Sequence, residues 1–482
     1  TVPPQQAPAE APKPLLSIFV LGFVGGLAAL LMPCIFPMLP MTVSFFTKGS
    51  DKGNGVAKAL VYGASIIVIY VVLGLLVTVI FGADALNDLS TNGVFNFLFF
   101  LLLVVFGASF LGAFELTLPS SWANKMDQRS DRGGLLGIFF MAATLALVSF
   151  SCTGPIIGTL LVEAATTGAL LGPAIGMFGF ALALAIPFAL FAMFPQWLSA
   201  LPKSGGWLNS VKVVLGLLEL AFALKFLSNV DLAYHWGWFD REIFVVLWIA
   251  IFGLMGLYLL GKVKFSHDSE LKFLSVPRTF LTIIVFAFTF YLVPGLWGAP
   301  LKAVAAFLPP MATQDFDLSS GTGHTSAVSD GAIRKYGALF ERPKGFDPYF
   351  DYEEGIAYAK KVGKPVLIDF TGHACVNCRK MEADVWTDRE VARTINEDYV
   401  LVQLYVDDKT DLAENEVFVA PNGKKIGTIG KKWSYLQTTR FRANSQPYYV
   451  LLDPATEQPI VTPKGADYDV ASYLAYLRSG LK

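Results

Sequence analysis

Leu31-Met-Pro-Cys-Ile-Phe-Pro-Met-Leu-Pro40 is the stretch that decides the fold of this chain. It lies inside a long apolar segment, roughly residues 15–46, which is long enough to cross a lipid bilayer. Its prolines cannot continue a regular helix, because each lacks an N–H donor and its ring clashes one turn back. Broken backbone at membrane depth is tolerated only where protein or a water-filled cavity surrounds it. The stretch therefore predicts an interrupted membrane helix with Cys34 at the break, after Pro33, although a cysteine there can also be a small packing residue.

A second cysteine stands in a similar setting, in Leu145-Ala-Leu-Val-Ser-Phe-Ser-Cys-Thr-Gly-Pro155. An offset of 118 residues (152 minus 34) aligns Cys34 with Cys152. The same offset aligns Pro37 with Pro155. Each copy of this weak repeat holds about three predicted spans, so the second copy is inverted, and inverted repeats place their site at the repeat interface near mid-membrane. We therefore expect the two cysteines to meet as a reversible disulfide, with the prolines as structural supports.

The composition is that of a membrane protein with a soluble part. Of 482 residues, 54% are hydrophobic and only 16% are charged. This composition is more apolar than that of a typical soluble protein. The net charge of −1 gives no indication of a nucleic-acid partner. The 4 cysteines fall into two pairs, 34/152 and 375/378, which are too few for a disulfide scaffold. We therefore expect a lipid bilayer around the chain, no nucleic acid, and a chemical role for both cysteine pairs.

Apolar segments of the ~20 residues that a bilayer requires recur along the first part of the chain. Lys and Arg are concentrated in the odd-numbered loops, which the positive-inside rule places in the cytoplasm. We predict about eight spans, an inverted 3+3 repeat plus two, with both termini in the periplasm of a bacterial inner membrane. Glu219 falls within the sixth segment, where a carboxylate is either functional or paired with a neighbouring helix. The predicted segments are 15–46, 56–81, 94–114, 134–162, 168–194, 208–228, 242–260 and 278–298.

The composition changes after the last apolar segment. Residues 1–14 are predicted to be a linker remnant before a transmembrane domain at 15–298, and the Ser-, Thr- and Gly-containing residues 299–338 are predicted to be a second linker. Residues 339–482 have the composition of a soluble periplasmic domain. A strand, Cys-x-x-Cys and a helix, followed later by proline before a strand, form a thioredoxin-like α/β pattern. The predicted elements are a helix at 352–362, strands at 365–370, 400–406 and 446–453, and a closing helix at 470–481.

The second cysteine pair, Cys375 and Cys378, stands where a helix begins after a strand. A helix N-terminus favours negative charge, which lowers the pKa of the Cys375 thiol and makes it a nucleophile. Cys378, one turn further on, can attack the resulting mixed disulfide and release the partner. Half of a zinc site is the alternative, but zinc needs two more ligands and His373 supplies only one. The motif therefore predicts a catalytic dithiol and no metal.

Three further residues are predicted to support this pair. Asp369 ends the predicted strand, where burial raises the pKa of its carboxyl and lets it move protons for Cys378. Glu382 follows Cys378 by four residues and shares its helix face. Pro447 precedes the third strand and is expected to form a cis peptide bond facing the cysteines. The alternatives are ordinary capping or solvated acids and an ordinary proline at the start of a strand.

Together these motifs resemble the DsbD family of transmembrane disulfide reductases. The resemblance covers most of the chain: a CcdA-like membrane core with Cys-x-x-Pro at 34–37 and 152–155 precedes a thioredoxin-like domain with Cys-x-x-Cys at 375–378. It implies that cytoplasmic thioredoxin reduces the membrane pair, which then reduces the C-terminal domain. Redox-active disulfides are then the sole redox groups, without a diffusible cofactor.

The resemblance also implies partners for this chain, and the sequence departs from the family pattern in two places. Electrons would pass to periplasmic thiol–disulfide proteins of disulfide isomerisation and cytochrome c maturation, through an N-terminal domain whose cysteine pair this sequence does not contain. Ala374 stands where the family commonly has Trp, and the segment before Pro447 is longer than in a minimal thioredoxin. We expect that longer segment to influence partner choice.

Two other functions fit parts of the sequence. A solute transporter with a fused thioredoxin-like domain would also use inverted repeats and broken helices. A quinone-linked disulfide oxidase would run electrons in the opposite direction, although nothing in the sequence marks a quinone site. The preferred prediction is an electron conduit from a thioredoxin near ~−270 mV toward the more oxidising periplasm. Loss of activity in Cys34→Ser and Cys152→Ser separates the conduit from the transporter, and quinone dependence separates the oxidase.

Overall fold

The computed structural model describes residues 15–30, 59–75, 92–114, 142, 171–193, 205–265, 268, 273–314, 334–421 and 423–481. Both cysteine stretches of the apolar region lie outside these ranges. The predicted disulfide and the roles predicted for Pro33, Cys34, Pro37, Cys152 and Pro155 therefore stay predictions.

Apolar helices form the membrane domain within the described residues. Four of them are long and apolar enough to cross a membrane, and three further apolar helical stretches, Leu15–Ala29, Ala59–Leu75 and Ala174–Leu190, are shorter. They coincide with seven of the predicted segments, whereas the predicted segment 134–162 is described only at Ala142, which is helical. The number of spans and the inverted repeat stay predictions. The helices are α1 (Leu15–Ala29), α2 (Ala59–Leu75), α3 (Gly93–Phe110), α4 (Leu171–Met193), α5 (Gly205–Tyr234), α6 (Arg241–Leu259) and α7 (Val276–Leu292).

Glycines set how closely these helices approach one another. On α1, a Cβ at Gly22 would lie 2.3 Å from the carbonyl oxygen of Gly176 on α4, and one at Gly26 would lie 2.5 Å from the carbonyl oxygen of Phe180. On α3, a Cβ at Gly107 would lie 2.9 Å from Leu220 of α5. Small residues at such crossings let helix backbones pack closely in lipid, where no hydrophobic force drives association. These glycine positions therefore fix the α1–α4 and α3–α5 pairs.

Glu219, the predicted intramembrane carboxylate, lies on α5 and is 1% exposed. Its Oε2 atom has no hydrogen-bond partner among the residues that the structure describes. The structure therefore provides no described partner for that oxygen, and a functional role for Glu219 stays a hypothesis.

After α7, two short 3-10 helices, Val293–Trp297 and Met311–Thr313, lead toward a thioredoxin-like domain. This domain has a central sheet in which the middle strand is β1 (Val366–Thr371). Strand β1 pairs in parallel with β2 (Val400–Tyr405) on one side and antiparallel with β5 (Tyr448–Leu452) on the other. Every residue of β1 and β2 is buried, as in a sheet that is covered on both faces. The elements are α8 (Tyr352–Val362), β1 (Val366–Thr371), α9 (Val376–Asp384), α10 (Arg389–Asp398), β2 (Val400–Tyr405), β3 (Phe418–Val419), β4 (Lys425–Ile426), α11 (Ile429–Arg440), β5 (Tyr448–Leu452) and α12 (Val470–Ser479).

The predicted elements of this domain are present, although the ends of several differ by one or two residues. Helix α8 has the predicted bounds because Asp351 caps its first turn by accepting from the Glu354 N–H, and Gly363 ends it with a left-handed φ of 68°. Strand β1 continues to Thr371, which pairs with Tyr405, so the prediction that Asp369 ends the strand is wrong. The longer segment before Pro447 contains α11, whose Trp433 side chain is buried in the core.

Candidate redox site

Cys375 and Cys378 form a disulfide at the start of α9, with their Cα atoms 5.3 Å apart. Cys375 is the N-cap residue, and its Sγ accepts a hydrogen bond from the Cys378 N–H at 3.1 Å. Cys375 is partly exposed, whereas Cys378 is 2% exposed. An incoming thiolate therefore reaches the sulfur of Cys375 more easily than that of Cys378.

A carboxylate holds the loop that leads into this disulfide. Asp407 accepts hydrogen bonds from the His373 N–H at 2.9 Å and the Ala374 N–H at 3.1 Å. A Cβ at Gly372 would lie 2.7 Å from the same carboxylate, so only glycine leaves room for this contact. The sequence predictions do not include Asp407, although an acidic pair two residues after the end of β2 is a visible signal.

Asp369 is a buried acid in the middle of β1, and it is 2% exposed. Burial raises the pKa of its carboxyl to about 7, although a hydrogen bond from Gln403 Nε2 to Oδ2 at 3.0 Å opposes the shift. Its Oδ1 atom has no hydrogen-bond partner in the described part of the chain. A carboxyl with a pKa near neutral pH has the property that a general acid or base needs, and the predicted role of Asp369 stays a proposal.

Glu382 lies on α9 and forms an ion pair with Arg379, with 2.9 Å between Arg379 Nη2 and Glu382 Oε1. Burial raises the pKa of Glu382 above its ordinary value despite the attraction of Arg379. The negative charge of Glu382 also raises the pKa of Asp369. Arg379 was not predicted, although a charged residue directly after Cys378 is visible in the sequence.

Pro447 lies at the same edge of the sheet as the cysteine loop. The Gln446–Pro447 peptide bond is cis, as the sequence predicts. The antiparallel pairing of Phe370 with Tyr448 puts Pro447 beside the end of β1 from which the loop to Cys375 departs. Its predicted role as a support of the cysteines stays a proposal.

The face of the domain that carries α9 lies against the membrane domain. His235 follows α5, and its Nε2 lies 2.7 Å from Asp408 Oδ2 across the two domains. His373 Nε2 lies 3.0 Å from the same oxygen. Burial opposes ionisation of Asp408, but the contacts with His235 and His373 outweigh it and hold its pKa well below the usual range.

A small cavity continues this contact between the domains. Its thioredoxin-like side is the ion pair of Arg379 and Glu382 together with Ala383 of α9, and its other side comes from the start of α6 and the segment after α7. The side chain of Arg241, at the start of α6, is 2% exposed and donates to the carbonyl oxygens of Pro309 and Pro300. Helix α9, which begins at the disulfide, therefore faces the membrane domain.

These observations define a class: multi-pass α-helical membrane proteins that carry a thioredoxin-like domain with a Cys-x-x-Cys disulfide. Residues 15–231 match the family described as cytochrome C biogenesis protein transmembrane domain, and residues 347–454 match a thioredoxin-like family. The chain belongs to the DsbD family.

Three curated relatives carry the name thiol:disulfide interchange protein DsbD. The protein of Pseudoalteromonas atlantica is 29% identical over 416 residues, covering 84% of this chain and 62% of the relative. For Vibrio vulnificus the identity is 30% over 387 residues, with 78% and 56% covered. For Ralstonia nicotianae it is 26% over 420 residues, with 84% and 63% covered. The chain therefore spans about three-fifths of the length of these relatives.

Proposed function

We propose that this chain is a transmembrane protein-disulfide reductase that carries two electrons outward. Electrons pass from a cytoplasmic thioredoxin to the Cys34/Cys152 pair, then to Cys375–Cys378, and then to periplasmic thiol–disulfide proteins that serve disulfide isomerisation and cytochrome c maturation. The observation that carries the proposal is the disulfide of the thioredoxin-like domain at the start of α9, a helix that faces the membrane domain. Membership of the DsbD family supports the same direction of transfer.

Electron input is a thiol–disulfide exchange that begins at the more exposed sulfur. One membrane thiolate attacks Cys375 Sγ, the Cys375–Cys378 bond breaks, and Cys378 leaves as a thiolate that takes up a proton. The second membrane cysteine, as a thiolate, then attacks the sulfur of the first membrane cysteine, which is bonded to Cys375. This attack releases Cys375 as a thiolate. The membrane pair is thereby oxidised to one disulfide, and the domain is reduced by two electrons and binds two protons once both its thiols are protonated.

Electron output reverses these roles on a substrate disulfide. The Cys375 thiolate attacks one substrate sulfur, and the other leaves as a thiol. Cys378 then loses its proton, attacks Cys375 Sγ and releases the substrate as a dithiol. We assign proton transfer to and from Cys378 to Asp369, with Glu382 tuning its pKa, because the carboxyl of Asp369 is buried with a pKa of about 7.

Thiol trapping of the 482-residue chain in proteoliposomes tests this proposal. With reduced thioredoxin supplied on the cytoplasmic face only, we expect Cys375 and Cys378 to become reduced in the wild type. Either Cys34→Ser or Cys152→Ser should abolish this reduction, while added dithiothreitol still reduces the domain. Reduction of the domain by thioredoxin in both variants would contradict the conduit, and oxidation of Cys375 and Cys378 that requires an added quinone would favour the oxidase.

A further inference from the structure

A cluster of three side chains at the junction of the domains has no role in the exchange steps above. His235 from the membrane domain and His373 from the thioredoxin-like domain both direct Nε2 at one oxygen of Asp408, at 2.7 and 3.0 Å. All three ligand-type atoms lie within 4.8 Å of one another. The Asp408 side chain is fully buried, and the side chains of His235 and His373 are 23% and 7% exposed.

The backbone and the surroundings favour a built site over a chance contact. His235 has a left-handed φ of 53°, which residues other than glycine rarely adopt, and its ring contacts the other domain. The other oxygen of Asp408, Oδ1, accepts from the Thr410 N–H at 2.9 Å, which fixes the carboxylate. Aromatic rings wall the cluster: His373 stacks on Tyr405 at 4.5 Å, and His235 meets the edge of Phe340 at 5.6 Å.

We propose that His235, His373 and Asp408 form a zinc-binding site that bridges the membrane domain and the thioredoxin-like domain. Two imidazole nitrogens and one carboxylate oxygen are a ligand set that Zn²⁺ accepts, with water in the fourth position. Tetrahedral zinc ligands lie about 3.3 Å apart. The imidazole nitrogens, now 2.7 and 3.0 Å from Asp408 Oδ2 and within 4.8 Å of each other, therefore need to withdraw from Asp408 by about 0.3–0.6 Å and settle at the same spacing from each other. Fixed outer contacts and an apolar wall of the kind seen here orient ligands and strengthen metal sites.

Zinc at this site would tie the two domains together beside the disulfide. One ligand comes from the residue after α5 and two from the thioredoxin-like domain, and His373 precedes Cys375 by only two residues. The bound ion would therefore hold the domain in its docked position. If the proposed function also holds, the thioredoxin-like domain must leave the membrane domain to reach its substrates. Zinc then slows the delivery of electrons to those substrates.

Zinc binding to the 482-residue chain in detergent tests the site independently of activity. The protein is stripped with a chelator and kept oxidised, so that Cys375 and Cys378 cannot act as thiolate ligands, and bound zinc is measured by equilibrium dialysis and elemental analysis. We expect one Zn²⁺ at this site, with affinity at least tenfold weaker in His235→Gln and in His373→Gln. His267→Gln is the matched control, because it removes a histidine elsewhere in the sequence, and it should bind as the wild type does.

Cobalt provides a second readout that identifies the ligands. Co²⁺ at this site should give visible ligand-field absorption without the thiolate charge-transfer bands of a cysteine site, and His235→Gln should abolish the absorption. His235 lies outside the thioredoxin-like core, so this variant also tests the site if Asp408→Asn fails to fold. Binding that is absent from the wild type, or unchanged in both histidine variants, would overturn the proposal. If the chain binds zinc at this site but thioredoxin does not reduce it, the result would contradict the proposed function and leave the zinc site standing.

Discussion

At the scale of single residues, the two cysteines of the thioredoxin-like domain differ in exposure and in position. Cys375 caps α9 and is partly exposed, while Cys378 is buried one turn further on, directly before the buried Arg379. A bulky protein disulfide can approach the first sulfur but not the second. The same asymmetry makes Cys378 the resolving thiol, because it needs to reach only Cys375.

The first prediction follows from this asymmetry. Cys378→Ser should trap a mixed disulfide between Cys375 and its partner, because no second thiol is present to release it. Cys375→Ser should trap none. Non-reducing gel electrophoresis with mass spectrometry of the linked peptides measures both. The reverse pattern of trapping would overturn the assignment of the two roles.

The second prediction concerns the pH dependence of stability and the carboxyl of Asp369. The pKa of this group is raised from 3.8 to about 7 by burial, so between these values the folded domain keeps a proton that the unfolded chain has lost. This contribution to the free energy of unfolding is therefore fully present below about pH 4 and is lost as pH rises toward about 7, a decline on the order of a few kcal/mol.

Asp369→Asn should remove that decline, since an amide does not titrate. The measurement is hydrogen exchange of the β1 amides in the whole chain, corrected for the pH dependence of intrinsic exchange, with wild type and variant compared at each pH. Electron transfer through Cys378 should also slow in the variant, because an amide cannot take or give a proton. A wild-type pH slope retained in Asp369→Asn would assign the slope to another group.

At the scale of elements, local signals in the sequence predict that a helix or strand is present more accurately than they predict the residue at which it ends. Helix α8 was predicted with its observed bounds because its capping residues, Asp351 and Gly363, are adjacent to it in sequence. The end of β1 was missed because pairing with Tyr405 of β2 extends it, and that partner is distant in sequence. Helices α10 and α11 were not predicted at all.

The third prediction tests the glycine contact between α1 and α4. Gly26→Ala should lower stability by about 1–3 kcal/mol, because its Cβ would lie 2.5 Å from the Phe180 carbonyl oxygen and 2.8 Å from the Cβ of Ala183. Gly253→Ala on α6 is the matched control, since a Cβ added there would have no described atom within 4 Å. The control should be neutral or more stable by about 0.5–1 kcal/mol, because alanine favours helix.

Unfolding of both variants in detergent, followed by circular dichroism at rising dodecyl sulfate concentration, compares them directly. The α1–α4 contact sets the approach of two helices in the membrane domain, and α1 leads directly into the Cys34 stretch. Equal midpoints for Gly26→Ala and Gly253→Ala would show that this crossing relaxes without cost.

At the scale of the whole molecule, contacts between the domains could not be predicted from the sequence. His235 and Asp408 are separated by 173 positions, and neither belongs to a motif. Their contact depends on how two domains pack, which periodicity and local propensity do not report. The cysteine motifs, by contrast, are local patterns, and the family they resemble is the one to which the chain belongs. The domain boundaries, the orientation in the membrane and the Cys34–Cys152 disulfide stay predictions.

The last prediction concerns the docked arrangement itself, which Arg241 supports. Its guanidinium donates to Pro309 at 2.7 Å and to Pro300 at 3.3 Å, and so holds the segment that faces Glu382 across the cavity. Arg241→Gln loses the planar fork that reaches both carbonyls. We expect transfer from the membrane pair to Cys375–Cys378 to slow tenfold or more, as rapid-quench thiol trapping measures.

Two comparisons separate docking from folding and from the chemistry of the disulfide. Arg278→Gln is the matched control, because Arg278 also donates to two backbone carbonyls, those of Leu259 and Tyr258. These lie at the far end of α6 from Arg241, away from the thioredoxin-like domain, so transfer should keep its wild-type rate. Reduction of Cys375–Cys378 by dithiothreitol should be unchanged in both variants, because a small dithiol needs no docking. Equal slowing in both variants, or slower reduction by dithiothreitol in Arg241→Gln, would mean that Arg241 acts through folding and not through the contact between the domains.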